Sequence, residues 1–385
     1  MVAQHVPINP AVLAWALREA GAGPEELAGR LGVERAVVDA WLHGSSRPNL
    51  TLFRKLATTL HRPSATFLLP EPPKSAIPAV QFRHPPDAAN RQLGEAERLR
   101  LREAGRLQRG LRWILDQTDH RPLDIPLEST ATDPEVAAHR LRQIVGVTPD
   151  EQTGWKSDSM ALREWRRALE ALGIAVLLLP MGSDSARGFS FWDDLVPVIA
   201  VNTHWNPAAR IFTMFHELGH LISRTSSVCQ DGRVERHKDH GDPVERWCER
   251  FSAAFLLPWP DVSRFLSTKY GWTEGREIHD LKVATALARR FKVSLRASVL
   301  RLIDHKAAQW KLFASIPKNS DAKTGGGGGG GRTRPQIRAD EYGRRTATIL
   351  FDGMQRDVLS RDDVLGYLNI GDAELSTFET DALAG

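Results

Sequence analysis

Cysteines are scarce in this 385-residue sequence, and long apolar runs are absent. Cys229 and Cys248 are its only cysteines, so no disulfide framework is indicated and a reducing, cytoplasmic setting is expected. No apolar run approaches the ~18 residues that span a bilayer, and the amino terminus lacks a signal-peptide pattern. These features argue against a membrane protein and against a secreted disulfide scaffold.

The overall composition is ordinary for a soluble protein, with 42% hydrophobic and 25% charged residues. A chain of 385 residues predicts two or three domains. The formal net charge of +4 permits a contact with nucleic acid without requiring one.

The most informative stretch is Phe215–His220, which has the sequence FHELGH. His216 and His220 are four residues apart, so a helix places them on one face with Glu217 beside them. Neutral imidazole nitrogens are good zinc ligands, and a glutamate after the first histidine can take a proton from a metal-bound water. The motif therefore predicts one zinc ion per chain and hydrolytic chemistry.

The residues around the motif predict a helix. Asn206 is a good N-cap and Pro207 is a good first helical residue. The apolar residues that recur at helical spacing are Ala208, Ile211, Phe212, Phe215 and Ile222. His216 and His220 flank this apolar stripe. An amphipathic helix with two incidental histidines is the plainer alternative, and the context of the motif favours the metal site.

A catalytic zinc ion needs a third protein ligand and an open position for water. The motif does not continue with a glycine and a third histidine, because Ser223 and Ser226 occupy those places. The next informative stretch predicts a second helix, with Asp242 as N-cap, Pro243 at its first position and Pro258 at its end.

The segments HELGH and ERWCERFSAAFLLP, which begin at His216 and Glu245, resemble the zincin domain of the ImmA/IrrE family of metallopeptidases. The resemblance implies that His216, His220 and Glu245 are the zinc ligands and that Glu217 is the general base. Family members typically cleave a helix-turn-helix repressor or antitoxin. A similar protein substrate is implied here, in the control of stress, mobile-element or phage-response genes.

Other interpretations of these acidic residues remain open. Glu245 lies three residues after Asp242, where a capping-box glutamate would lie. Glu249 stands where the family usually has asparagine, and it is either a carboxylate that orients a ligand histidine or a surface charge. A polar loop offers further candidate ligands, which are Glu235, His237, Asp239 and His240. Solvation explains that loop more simply.

Residues 10–69 predict a compact helical module. Its predicted helices are Ala11–Ala20, Glu25–Leu31, Glu34–Leu42 and Leu50–Leu60. The apolar residues with the spacing of a helix-turn-helix core are Leu27, Ala28, Leu31, Val33, Val38, Trp41 and Leu56. Together with Gly44 and Pro48, they make the segment resemble the XRE/Cro-type helix-turn-helix family. The resemblance implies DNA binding.

The charges of this module argue against a simple DNA-binding role. Between Pro24 and His43, two arginines face four acidic residues, which gives a net charge of −2. Contacts to base edges and phosphates need polar and basic side chains. Either the module has been repurposed, or it binds DNA through the candidate contacts Arg35, Arg47, Arg54 and Lys55.

A proline-rich connector, residues 70–90, precedes a helix predicted from Arg91 to Asp116. From Phe82 to Trp113, eight arginines face four acidic residues, a net charge of +4. A solvated helix face is the plainer interpretation. A phosphate-contacting face over residues 91–113 is the alternative.

The segment before the FHELGH helix predicts a small sheet. Two helices, Thr132–Val145 and Ser157–Leu172, are followed by a strand, Gly173–Leu179, and by a hairpin of Gly188–Trp192 with Leu195–Val201. Pro197 cannot donate a ladder hydrogen bond, so its strand is expected at an edge. Zinc peptidases commonly pair an extended substrate with such an edge. The candidate substrate-binding residues are Val198, Ile199, Ala200 and Val201, and an ordinary edge strand is the alternative.

Further helices are predicted beyond the metal motif. They cover Val262–Tyr270, Ile278–Phe291, Ser294–Ala307, Arg338–Gln355 and Ser360–Leu368. Tyr270 is either an oxyanion-stabilising group or a core or surface tyrosine. Seven glycines, residues 325–331, form a flexible tether before a tail that resembles the tail of long ImmA/IrrE-type proteins.

The predicted fold class is α+β and mostly helical. The expected domains are a helix-turn-helix domain (1–70), a connector with a basic helix (71–120), a zincin-like metallopeptidase domain with a small sheet (121–315), a glycine-rich linker (316–335) and a helical tail (336–385). Zinc endopeptidase is the first functional hypothesis. The alternative is a regulator that binds DNA or a partner protein, with a sensing or structural zinc domain. No membrane partner is expected.

Overall fold

The computed structural model describes residues 5–73, 94–224, 227–229, 243–317, 320–322 and 331–383, except Gly21, His61, Pro63, Asp119, Arg121, Pro122 and Asp124. The chain divides into two compact units. The N-terminal unit contains residues 1–79 and 88–106, and the C-terminal unit contains residues 80–87 and 107–385. None of the described helices combines the length and apolar character needed to cross a bilayer.

The N-terminal unit has short helices around one apolar core. They are α1 (Pro10–Ala20), α2 (Pro24–Leu31), α3 (Arg35–Leu42), α4 (Leu50–Thr59) and a 3₁₀ turn (Ser64–Leu68). Gly32, with φ 73°, ends α2 in the left-handed conformation that glycine adopts easily. Asn49 caps α4 by accepting a hydrogen bond from the Leu52 amide at 2.9 Å. Four predicted helices are thus confirmed, each within about one residue of its predicted bounds.

Helix α5 (Glu95–Gln117) contributes residues to both units. It confirms the helix predicted from Arg91 to Asp116, except that residues 91–93 lie outside the described residues. Most of the proline-rich connector, residues 74–90, also lies outside them. The buried apolar residues of α5 are Leu101, Ala104, Leu107, Leu111, Ile114 and Leu115.

The C-terminal unit contains a four-stranded sheet of order β1-β3-β2-β4. Its strands are β1 (Ala175–Leu179), β2 (Gly188–Phe191), β3 (Val198–Asn202) and β4 (Ser227–Cys229). Strands β1 and β3 are parallel, whereas β2 is antiparallel to both β3 and β4. Phe191 lies opposite Val198, so the predicted hairpin of β2 and β3 is confirmed.

The prediction that the strand after Pro197 lies at an edge is wrong. Val198, Ile199, Ala200 and Val201 pair with β1 on one side and with β2 on the other, and all four are fully buried. Pro197 precedes the strand and contributes only its carbonyl, which accepts a hydrogen bond from the Ala175 amide at 2.9 Å. The missing N–H therefore interrupts no ladder, and these four residues cannot pair with a substrate backbone.

An apolar core joins this sheet to helices that include α6 (Pro134–Val145), α8 (Asp158–Ala171), α9 (Pro207–Ile222) and α10 (Pro243–Leu256). The short helix α7 (Pro149–Gly154) lies between α6 and α8 in the chain. Helix α9 packs against the sheet, and α10 packs against α9 and α6. Trp165 lies at the centre of the core, with ring centroids 5.0 Å from Phe215 and 5.6 Å from Phe255. Aromatic packing thus joins α8, α9 and α10 beside the metal motif.

The remaining helices complete the C-terminal unit. They are α11 (Trp259–Tyr270), α12 (Leu281–Phe291), α13 (Leu295–Asp304), α14 (Trp310–Ala314), α15 (Arg334–Gln355), α16 (Arg361–Leu368) and α17 (Leu375–Leu383). Helices α7, α14 and α17 were not predicted from the sequence. Of the glycine run, only Gly331 lies inside the described residues.

The tail helix α15 packs against β1, and a buried ion pair within α8 contacts both elements. Arg166 of α8 donates hydrogen bonds to Glu170 at 3.2 Å, to the Asp340 carbonyl at 2.6 Å and to the Val176 carbonyl. Gly343 kinks α15 at this contact with φ 76° and ψ 176°. A Cβ atom built there would lie 2.1 Å from Glu170 Oε1 and 2.3 Å from Arg166 Nη2. Only glycine fits this backbone and this space.

We expect Gly343→Ala to lower the free energy of unfolding by about 3 kcal/mol, because it adds both backbone strain and a steric clash with a buried ion pair. Gly366→Ala is the matched control, since a Cβ atom there meets nothing within 4 Å in α16. That change should be neutral or stabilise by up to ~1 kcal/mol. Denaturant unfolding measures both variants, and wild-type stability of Gly343→Ala would contradict the described packing.

Candidate metal centre

Local sequence sets the start and rotation of α9, which carries the FHELGH motif. The Asn206 side chain accepts a hydrogen bond from the Ala209 amide at 2.9 Å, and Pro207 is the first helical residue, as predicted. The buried apolar face of α9 includes Ile211, Phe215, Leu218 and Ile222. Because this face is fixed by packing, the two histidines of the motif turn towards α10.

His216, His220 and Glu245 converge on one point. His216 Nε2 lies 3.1 Å from His220 Nε2 and 3.1 Å from Glu245 Oε2, and His220 Nε2 lies 3.2 Å from Glu245 Oε1. Ligand atoms bonded at ~2.0–2.1 Å to a tetrahedral ion are roughly 3.3 Å apart, so the three side chains fit one metal ion. Within the described part of the chain, this is the one group of three such side chains that could share a metal.

The carboxylate of Glu245 interacts with both His216 and His220. Burial acts to raise the pKa of Glu245, but the interactions with His216 and His220 outweigh it and hold that pKa well below its usual range. An ionised carboxylate is the form that binds a cation. The capping-box alternative depends on Asp242, which lies outside the described residues, as do the alternative loop ligands Glu235, His237, Asp239 and His240.

A close approach of α9 and α10 brings Glu245 within reach of the histidines. A Cβ atom on Gly219 would lie 3.1 Å from Cys248 Sγ and 3.3 Å from Cys248 Cα. The glycine of HELGH therefore allows the two helix backbones to come together. The Phe215 and Phe255 rings stack at 4.3 Å beside this contact. Packing thus fixes the separation of the three candidate ligands.

Glu217 is fully buried and points at the sheet. Its Oε2 accepts a hydrogen bond from Ser190 Oγ of β2 at 2.8 Å. Burial raises the pKa of Glu217, while His220, His216 and the Ser190 hydroxyl act in the opposite direction. A carboxylate with a raised pKa is a stronger base than an ordinary surface glutamate.

Ser190 and Gly188 are site residues that the sequence analysis missed. A Cβ atom on Gly188 would lie 2.7 Å from Thr213 Cγ2, 2.8 Å from the Ala200 carbonyl oxygen and 3.3 Å from Glu217 Cγ. Both small residues therefore face α9 from β2. The alternation of small and aromatic residues in Gly188–Phe191 is the signal that could have identified this helix-facing side of the strand.

Glu249 lies one helical turn after Glu245. The residue as a whole is exposed to solvent, although the protein around its carboxylate desolvates that group. Desolvation of its carboxylate raises its pKa, Glu245 and Asp304 add to this effect, and His216 opposes it. Glu249 therefore belongs to the electrostatic surroundings of the candidate metal centre. Tyr270 is 37% exposed and packs edge-on against Phe265, as a surface tyrosine does.

The candidate DNA contacts of the N-terminal unit differ in their surroundings. Arg35 lies 3.6 Å from Glu25 and 3.3 Å from Asp39, so acidic side chains already accompany it. Lys55 donates a hydrogen bond to the Leu31 carbonyl at the end of α2, at 2.7 Å. Arg47 and Arg54 are exposed.

Residues 169–302 match the family model Peptidase_M78, the IrrE N-terminal-like domain. The match supports a metallopeptidase of the ImmA/IrrE type. The matched range includes the sheet, α9 and α10, and therefore every residue of the candidate metal centre. The N-terminal unit and the tail lie outside it. A comparison with curated proteins finds no match.

Replacing Glu245 and Glu249 one at a time should distinguish a metal ligand from a charge that only lies nearby. We expect Glu245→Gln to weaken metal binding by more than the roughly 10- to 100-fold that loss of an outer hydrogen-bond partner costs. Glu249→Gln should stay within or below that range. Metal content after dialysis against graded chelator measures both, with thermal unfolding as the check on folding. Wild-type metal retention by Glu245→Gln would contradict its place in the ligand set.

Proposed function

We propose that the protein is a zinc endopeptidase in which His216, His220 and Glu245 hold the metal and Glu217 is the general base. The convergence of the three ligand atoms within 4.8 Å of one another, next to a buried carboxylate, carries this proposal. Two imidazole nitrogens and one carboxylate oxygen are a donor set that suits zinc and leaves a position open in a tetrahedral site. The family match is consistent with this chemistry.

The proposed mechanism assigns proton transfer to Glu217. When bound, zinc would supply Lewis acidity, which makes water more acidic and polarises a peptide carbonyl. Glu217 accepts a proton from the attacking water and delivers it to the leaving amine. The burial of Glu217, which keeps bulk water away from the carboxylate, and its interaction with His216 and His220 support this role.

The proposed substrate is a helix-turn-helix repressor or antitoxin, whose cleavage would release genes of a stress, mobile-element or phage response. An unfolded segment of it would bind in extended form. Because β3 is an interior strand, we place this segment along the outer edge of β4 (227–229), the strand that pairs with β2 and its Ser190. The strand order and the packing of β4 beside α9 support this placement.

We expect Glu217→Gln to retain the metal and to lose cleavage, because the amide cannot accept the proton. New protein amino termini are compared between native host cells that express wild type and cells that express Glu217→Gln, with and without DNA damage. A small set of wild-type-only termini in one regulator would establish the peptidase and name its substrate.

The control for this comparison is Glu164→Gln, a change at a glutamate that lies 3.3 Å from Arg167 on α8. This variant should give the wild-type set of termini. Cleavage retained by Glu217→Gln would overturn the mechanism. Identical termini in all strains under every stress would favour the regulator hypothesis instead.

Binding of DNA by the N-terminal unit is the second candidate function. All four candidate contacts are exposed, but Arg47 and Arg54 are favoured because the side chains of Arg35 and Lys55 already interact within the unit. Gel shifts at graded salt test this function, since a DNA-binding protein loses affinity steeply as salt is added. The double variant Arg47→Gln, Arg54→Gln should weaken binding and reduce the salt slope. An unchanged slope would exclude these two contacts.

A further inference from the structure

Ser190 and Glu217 form a buried polar contact between β2 and α9. Both residues are 0% exposed, and the Ser190 hydroxyl donates to Glu217 Oε2 at 2.8 Å. A buried carboxylate is costly unless hydrogen bonds compensate for the lost water. This contact therefore holds one oxygen of the group that the proposed mechanism uses as its base.

The backbone of Ser190 is fixed from both sides. It lies opposite Ile199 of β3 and opposite Ser227 of β4, so β2 is paired on both edges at this position. Because side chains alternate along a strand, Phe189 and Phe191 lie on the opposite face of β2, with ring centroids 5.2 Å apart. A donor on such a strand has little freedom to follow Glu217 if the carboxylate turns.

A hydrogen bond to one carboxylate oxygen restricts rotation about the last torsion of a glutamate, which is otherwise broad. It therefore also fixes the direction of the second oxygen. We infer that Ser190 is a positioning residue, which orients the Glu217 carboxylate for proton transfer. This inference rests on the proposed peptidase function and adds a residue of the sheet to its machinery.

A purely structural role makes a different prediction. If Ser190 only satisfies a buried carboxylate, its removal lowers stability and leaves the turnover of the folded, metal-loaded enzyme intact. If Ser190 orients Glu217, its removal lowers kcat while KM and metal content stay at wild-type values. The split between kcat and KM therefore separates the two roles.

The experiment compares full-length wild type, Ser190→Ala, Ser190→Thr and Ser298→Ala. Ser298 is the matched control, because it is also 0% exposed and its hydroxyl donates to the Ala284 carbonyl at 3.0 Å in the helices α12 and α13. The probe is a fluorogenic peptide that spans the cleavage site found in the comparison with Glu217→Gln. Zinc content and thermal unfolding are measured on the same samples.

Ser190→Ala should lower kcat by about 10- to 100-fold, the usual cost of losing a partner that orients a functional group. Its KM and zinc content should not change. Ser190→Thr retains the hydroxyl and should recover most of the rate, and Ser298→Ala should lose stability only. Wild-type kcat in Ser190→Ala would overturn the inference and leave the peptidase intact. Absence of wild-type cleavage would instead remove the peptidase proposal, and this inference with it.

Discussion

The contact between α9 and α10 sets the geometry of the candidate metal centre. His216 and His220 are fixed by one helix, but Glu245 belongs to another, so the separation of the helices sets the separation of the candidate ligands. The absence of a side chain at Gly219 lets Cys248 approach to ordinary contact, and the stacked rings of Phe215 and Phe255 hold the pair together. Apolar packing therefore supplies the geometry that three polar side chains could not maintain by themselves.

Burial of Glu217 imposes the second constraint. A buried carboxylate is disfavoured in its charged form, yet the proposed role of general base requires that form. Two neighbouring imidazoles and the Ser190 hydroxyl offset part of the desolvation. The small residues Gly188 and Ser190 allow α9 to pack closely against β2. The same strand therefore also provides the hydroxyl that donates to the Glu217 carboxylate.

Sequence patterns predicted the parts of the site that depend on helical periodicity. The positions of His216 and His220, the Asn206 cap and the β2–β3 hairpin follow from local spacing, which requires no tertiary information. Strand order was not predictable in this way, because Pro197 precedes the ladder and β3 also pairs in parallel with β1, which is not its neighbour in the sequence. Ser190 was not predicted either, because its contact with Glu217 depends on which helix packs over the strand.

The packing of the tail helix α15 affects which edge of the sheet a peptide could pair with. An open sheet has two edges, and each exposes backbone groups that can pair with another chain. At the β1 edge, α15 packs against the strand and Arg166 donates to the Val176 carbonyl, so the protein's own side chains occupy that edge. Among the described strands, β4 forms the other edge, and it lies on the side of β2, which carries the donor to Glu217. Coverage of the first edge is therefore consistent with the proposal that an extended peptide pairs with β4.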